Sequence, residues 1–168
     1  MSLPVCHFLI GSPGCGKSTF ANLLIEIEPH SQIISTDKVR LLLFGDESIQ
    51  GDWSLIEEQV ITQMQEAIQS GKSVIYDATN AKKEWRLSLL QQVNVQWIAW
   101  HLQTPLEVCK KWNKQRNRLV PEQVIEALFR ALQENPPDTS EGFIAVNNVD
   151  IWSRKLEIQD IKDMLYPN

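Results

Sequence analysis

Short apolar runs bounded by turn formers alternate along the chain with segments of helical periodicity, the pattern of an α/β domain built on parallel strands. Five runs read as strands, at residues 5–11, 32–35, 73–77, 95–102 and 143–149, each close to continuously apolar. Strands covered on both faces need that character, because neither face meets water. Over residues 54–71, Ile56, Val60, Met64 and Ala67 fall on one helical stripe, Ser54 with Glu57 matches a capping box, and Gly71 suits the C-terminal cap. Thr104, Pro105 and Glu107 predict a second helix start, with the helix running to about Asn117. Pro121 opens a further helix with Val124, Leu128 and Leu132 in register, and Trp152, Leu156, Ile161 and Leu165 predict a C-terminal one. The Pro-rich stretch ENPPDTSEG reads as the loop before the last strand.

Composition narrows the class without changing it. A length of 168 residues fits one domain with a real core, and 43% hydrophobic with 22% charged residues is ordinary globular usage. No apolar run is long enough to span a bilayer and the N-terminus lacks a basic segment followed by a cleavage site, so the chain reads as cytoplasmic. Cys6, Cys15 and Cys109 have neither CxxC spacing nor a disulfide framework, which points to reduced thiols and no zinc. The net charge of -5 argues against a broad nucleic-acid-binding face and leaves room only for a short basic track. Nothing in the pattern calls for an obligate protein partner.

The segment FLIGSPGCGKST carries the chemistry most plainly. It places Gly11, Gly16, Lys17 and Ser18 in the GxxxxGK[ST] spacing, after an apolar strand and before an amphipathic helix. Gly11, Gly14 and Gly16, with Ser12 and Cys15 between them, allow successive backbone N–H groups to point inward at phosphate oxygens, and the helix adds its positive end. Lys17 brings an ammonium to the β and γ phosphates, Ser18 a hydroxyl ligand for Mg²⁺, and Thr19 a contact to the α phosphate. Cys15 reads as a small residue that fits the loop, with sensitivity to alkylation left open.

Further polar residues fall at the carboxyl edge of the expected sheet. In STDKVR, Asp37 follows the second strand and Arg40 lies one helical turn later on the same face. That pair suits either an acceptor site, with a carboxylate taking a hydroxyl proton beside an arginine, or a helix start with a surface ion pair. Asp77, closing the third strand in YDATN, stands where a second oxygen ligand for Mg²⁺ belongs, and Asn80 fits a substrate contact or a turn equally well. Arg116 and Arg118 lie between two predicted helices, either as a lid over a triphosphate or as a solvated basic helix end. Arg130 suits the acceptor site or an external salt bridge. Of six tryptophans, Trp97, Trp100, Trp112 and Trp152 are expected in the core, whereas Trp53 and Trp85 flank the crevice, where stacking on a base competes with simple packing. His7, His30 and His101 form no spaced cluster.

The motifs GSPGCGKST, STDKVR, YDATN and RNRLVPEQVI in this order, with SEGF before the last strand, resemble the P-loop kinases related to the kinase module of polynucleotide kinases, a group of AAA-type ATP-binding proteins. The resemblance covers nearly the whole length. It implies a three-layer P-loop NTPase fold with a five-stranded parallel sheet of order 2-3-1-4-5, one kinase domain across residues 1–168, and a short lid around 113–121. It also implies ATP as donor, with GTP not excluded, Mg²⁺ as cofactor and a hydroxyl as acceptor, in first place a 5′-hydroxyl nucleic-acid end. On that resemblance Asp37 is the base, Arg40 the contact to the acceptor's neighbouring phosphate, and Arg116 or Arg118 the lid arginine. A small-metabolite kinase with the same core, or an ATP-hydrolysing protein without a dedicated acceptor, are the alternatives.

Overall fold

The structure is a computed structural model that describes residues 3–116 and 119–167. Five strands, β1 (Val5–Ile10), β2 (Gln32–Ser35), β3 (Val74–Asp77), β4 (Gln96–Leu102) and β5 (Ala145–Val149), form one parallel sheet in the order β2-β3-β1-β4-β5. Among the described residues seven α-helices connect and follow them: α1 (Lys17–Ile27), α2 (Thr36–Phe44), α3 (Trp53–Gln69), α4 (Lys83–Gln92), α5 (Leu106–Asn113), α6 (Glu122–Glu134) and α7 (Ile158–Leu165). The expected three layers and strand order are therefore present.

Alternation along the strands divides the core in two. Cys6, Phe8 and Ile10 of β1 join Tyr76, Trp97 and Ala99 under α3, whose stripe Ile56, Val60, Met64 and Ala67 is buried throughout. On the opposite face Leu9, Ile75 and Trp100 meet Phe20, Ala21 and Leu24 of α1, Cys109 of α5 and Ile161 of α7. Trp97 and Trp100 are buried as expected, with Phe8 edge-on to Trp97 at 5.4 Å. His7 is built into this packing: its Nδ1 accepts from Trp100 Nε1 at 3.0 Å, which leaves Nε2 to donate to Glu28 at 2.8 Å. That hydrogen bond holds the Glu28 carboxyl below its ordinary range.

Several local expectations are corrected. Asp52, not Ser54, caps α3, accepting from Ser54 N at 2.9 Å, which frees Glu57 for other partners. Gly71, at φ 80°, does close the helix, with its own N–H on Ile68 O and that of Lys72 on Ala67 O. Helix α5 begins after Pro105 and ends at Asn113 rather than near Asn117, and Thr104 turns its hydroxyl elsewhere. In α6 the buried stripe runs through Ile125 and Leu132, while Val124 is 42% exposed and Leu128 half-buried. The last helix begins only at Ile158, so Trp152 lies outside it and is exposed. No helix among the described residues is long and apolar enough to cross a membrane.

His101 in β4 gives the fold a pH response. Burial, with Arg86 nearby, lowers its pKa from 6.5 to about 4, so the folded chain binds this proton less readily than the unfolded one. Its contribution is complete above about pH 6.5 and is lost as pH falls toward 4, a span worth about 3 kcal/mol. Urea unfolding followed from pH 7 to pH 4 should show that decline, and His101→Gln should flatten it.

Candidate active site

The central strand β1 runs straight into residues 11–16, which turn back at its carboxyl end and open α1. Gly14 and Gly16 hold φ of 81° and 102°, values that a Cβ would strain, and Gly16 is the N-cap of α1. Gly11 meets a different constraint, since a Cβ there would collide with Cys15 Sγ. Lys17 Nζ donates to the carbonyls of Gly11 at 3.0 Å and Ser12 at 3.1 Å, so the loop's one cation lies across its own mouth. The Ser12 hydroxyl instead donates to Ile125 O at 3.4 Å, leaving its backbone as the part available to a phosphate. Cys15 is buried, and burial raises its thiol pKa, both of which work against alkylation. Its carbonyl accepts from the Thr104 hydroxyl at 2.7 Å, so the residue read as a helix cap anchors the phosphate loop to the end of β4.

Ser18 Oγ donates to Asp77 Oδ2 at 2.9 Å, bringing two hard oxygens together where α1 begins and β3 ends. This donor set fits Mg²⁺, which takes one or two protein oxygens and completes its shell with phosphates and water. Thr19 is exposed beside them on the first turn of α1. Opposite, Asp37 sits in the first turn of α2, whose N-cap Ser35 accepts from Lys38 N. Its Oδ1 accepts from Arg40 Nη1 at 3.3 Å and its Oδ2 lies 3.6 Å from Arg116 Nη2. Arg116 therefore reaches over from the segment after α5 to the segment after β2, and is not a solvated helix end. Arg118 lies outside the described residues. Arg130 is exposed on α6 and does not line the cleft.

Asn80 lines the cleft and has a special backbone. At φ 50° it is the single non-glycine residue with positive φ among the described residues, and its Nδ2 donates to Leu9 O at 2.8 Å. Gly11 N donates to Thr79 O at 3.0 Å, so residues 78–81 brace the end of β1. Behind them stands Arg86, fully buried on α4, which sequence reasoning did not single out. Its guanidinium pairs with Glu141 at 2.7 Å and donates to the carbonyls of Asn80 at 3.1 Å, Ala81 at 3.2 Å and Asn135 at 2.9 Å. The SEGF segment supplies Glu141, which also closes a capping box with Asp138.

These residues border a cleft of about 850 Å³ with an aromatic wall on either side of the phosphate loop. On the β4–β5 side, Trp112 of α5 and Ile151 after β5 crowd Gly16, so Trp112 is a cleft residue and not part of the core. On the β2–β3 side, Trp53 of α3 and Trp85 of α4 stack obliquely with centroids 5.7 Å apart. Between α5 and α6, Asn113 is buried and makes a reciprocal pair with Val120: Nδ2 donates to Val120 O at 2.8 Å, and Val120 N donates to Oδ1 at 3.0 Å.

Comparison with known proteins agrees with this geometry. Residues 6–135 match the AAA domain family (AAA_33). The protein kti12 of Schizosaccharomyces pombe is 25% identical over 139 residues, covering 74% of this chain and 50% of that protein. A chain of the Pnkp1/Rnl/Hen1 RNA repair complex superposes with a TM-score of 0.72 at 25% identity, over 80% of this chain and 45% of the other. A gluconokinase from Sinorhizobium meliloti 1021 shares the fold at a TM-score of 0.57 and 16% identity, over 96% and 89% of the two chains. The chain thus spans about half the length of the curated relative and less than half of the RNA repair chain. Its fold is the kinase-like, nucleotide-binding P-loop fold.

Proposed function

We propose that this chain, which belongs to the AAA domain family, transfers the γ-phosphate of ATP to a hydroxyl, and that the acceptor is the 5′-hydroxyl end of an oligonucleotide or polynucleotide. The observation that carries this reading is Asp37, held between Arg40 and Arg116 across the cleft from Lys17 and the Ser18–Asp77 pair. A protein that only hydrolyses nucleotide needs no carboxylate and arginine on the far side of the loop. One that phosphorylates an alcohol needs both.

The loop N–H groups and Lys17 receive the triphosphate, and Ser18 with Asp77 would hold Mg²⁺, which would neutralise charge on the phosphate oxygens. Asp37 takes the proton from the acceptor hydroxyl as its oxygen bonds to γ-phosphorus and the bridge to the β-phosphate breaks, releasing ADP. Arg116, on the segment proposed as the lid, is long enough to move from Asp37 to the transferring group. Arg40 grips the phosphate on the 3′ side of the accepting nucleotide. A single gripped phosphate accords with the acidic chain, which has no extended basic track. The likeness to a chain from an RNA repair complex at 25% identity supports a nucleic-acid end, while the gluconokinase shares the fold alone.

Labelled ATP supplied with a 5′-hydroxyl dinucleotide, a longer 5′-hydroxyl strand or a panel of sugars including gluconate tests the proposal. The dinucleotide should serve nearly as well as the longer strand. Arg40→Ala should weaken transfer to both by about 2 kcal/mol or more while sparing background hydrolysis of ATP. Activity confined to sugars would overturn the nucleic-acid acceptor.

A further inference from the structure

The sheet order assigns the two aromatic walls of the cleft to different reactants. Trp112 and Ile151 crowd Gly16 where the loop opens α1, while Ser18 meets the Asp77 carboxylate at the end of β3. A phosphate chain bound on the loop with its terminal group toward the Ser18–Asp77 pair would leave its nucleoside end at the Trp112 wall. Trp53 opens α3, which follows β2 and α2, and Trp85 lies in the first turn of α4, which follows β3; both line the cleft with Asp37. We propose that Trp53 and Trp85 form a stacking platform for the base of the nucleotide whose hydroxyl meets Asp37. The proposal rests on the nucleic-acid reading above and specifies how that acceptor is held.

Both tryptophans are half-buried and line the cleft, with ring centroids 5.7 Å apart and a 32° tilt, and Trp53 also packs against the core under α3. Glu57 fixes them from behind. Its Oε2 accepts from Trp53 Nε1 at 2.9 Å, and its Oε1 accepts from Ser88 at 2.9 Å and Gln92 at 2.7 Å, both on the helix that carries Trp85. The Trp53 N–H is thereby satisfied away from the cleft, leaving a π surface with no hydrogen bond to offer from that edge. Such a surface suits a flat base better than a polyhydroxyl sugar, which needs donors and acceptors. Lys82 Nζ lies over one face of the Trp85 ring, 4.9 Å from its centroid, covering that face and bringing positive charge to the edge of the wall. Gln50 and Gly51 continue the wall, and the left-handed turn at Gly51 folds it back against Phe44 of α2.

Calorimetric titration of the Mg-ADP-loaded protein with a 5′-hydroxyl dinucleotide, and with the same molecule lacking its 5′ base, tests this directly. The base-bearing acceptor should bind about 10- to 100-fold more tightly. Trp53→Leu and Trp85→Leu should each erase most of that preference while leaving affinity for Mg-ADP and for the abasic acceptor unchanged. Trp53→Phe, which keeps a ring but gives up the bond to Glu57, should retain part of it. Absence of a preference in the wild type, failure of both acceptors to bind, or a preference that survives the leucine variants would overturn the platform. So would a parallel loss of Mg-ADP and abasic binding, which would mark the pair as packing. Base-dependent binding without phosphate transfer would remove the kinase reading and keep the platform; transfer without base preference would do the reverse.

Discussion

Asp37→Asn is expected to bind Mg-ATP as the wild type does and to lose transfer to a hydroxyl by a factor of about 10² to 10⁴, the usual contribution of a positioned general base. The carboxylate lies in the first turn of α2 and not on the phosphate loop, so its amide isostere leaves Lys17, Ser18 and Asp77 in place and weakens the pair with Arg116. Its ion pairs with Arg40 and Arg116, at 3.3 Å and 3.6 Å, are partly solvated, and weakening them should cost about 1 kcal/mol or less of stability. The loss should fall on kcat and kcat/KM alike, because the proton leaves only as the new bond forms. Asp77→Asn should behave differently, raising the Mg²⁺ concentration needed for both binding and turnover. Single-turnover transfer alongside calorimetric nucleotide titration separates the two variants. Wild-type transfer by Asp37→Asn would remove that residue from the chemistry.

The largest loss of stability is expected at the buried Arg86–Glu141 pair. Both side chains are almost wholly inaccessible, and removing one partner leaves a charge in the interior, which typically costs about 3–5 kcal/mol. Glu141→Gln should shift the urea midpoint accordingly. Replacing an ordinary buried pair by two apolar residues often restores stability. Here the double variant Arg86→Met with Glu141→Leu should not, because Arg86 also satisfies the carbonyls of Asn80, Ala81 and Asn135. Recovery to wild-type stability would show that those three bonds contribute little. A loss of this size is a large share of the stability of a typical domain, about 5–15 kcal/mol.

The contrast between these two sites explains what the sequence could disclose. Asp37, Asp77 and the phosphate loop are local: each follows an apolar strand within a residue or two, so the parallel-sheet pattern alone brings them to one edge. Arg86 and Glu141 are separated by 55 positions, and an arginine on the inner side of α4 merely breaks the apolar stripe that would otherwise mark that helix. Caps failed for a related reason. Asp52 and Ser54 both satisfy the residue preference for starting α3, and what decides between them is Glu57, drawn away to Trp53, Ser88 and Gln92. Trp112 illustrates the limit of periodicity, since a stripe residue on α5 faces the core or a cleft according to what lies opposite, and here Gly16 leaves the space open.

The reciprocal pair between Asn113 and Val120 gives the cleft a module boundary. Because two hydrogen bonds close the chain on itself there, the backbone leaves α5 and rejoins the path to α6 at nearly one point. A stretch that begins and ends at one point transmits little of its own length to its surroundings, and doubling it costs only about 0.6 kcal/mol in closure entropy. Lengthening or grafting this stretch should therefore leave the packing of α5 on α6 intact, where Lys110 and Glu126 pair at 2.7 Å. The connection after α5 can thus change in length while the sheet and its phosphate loop keep their places.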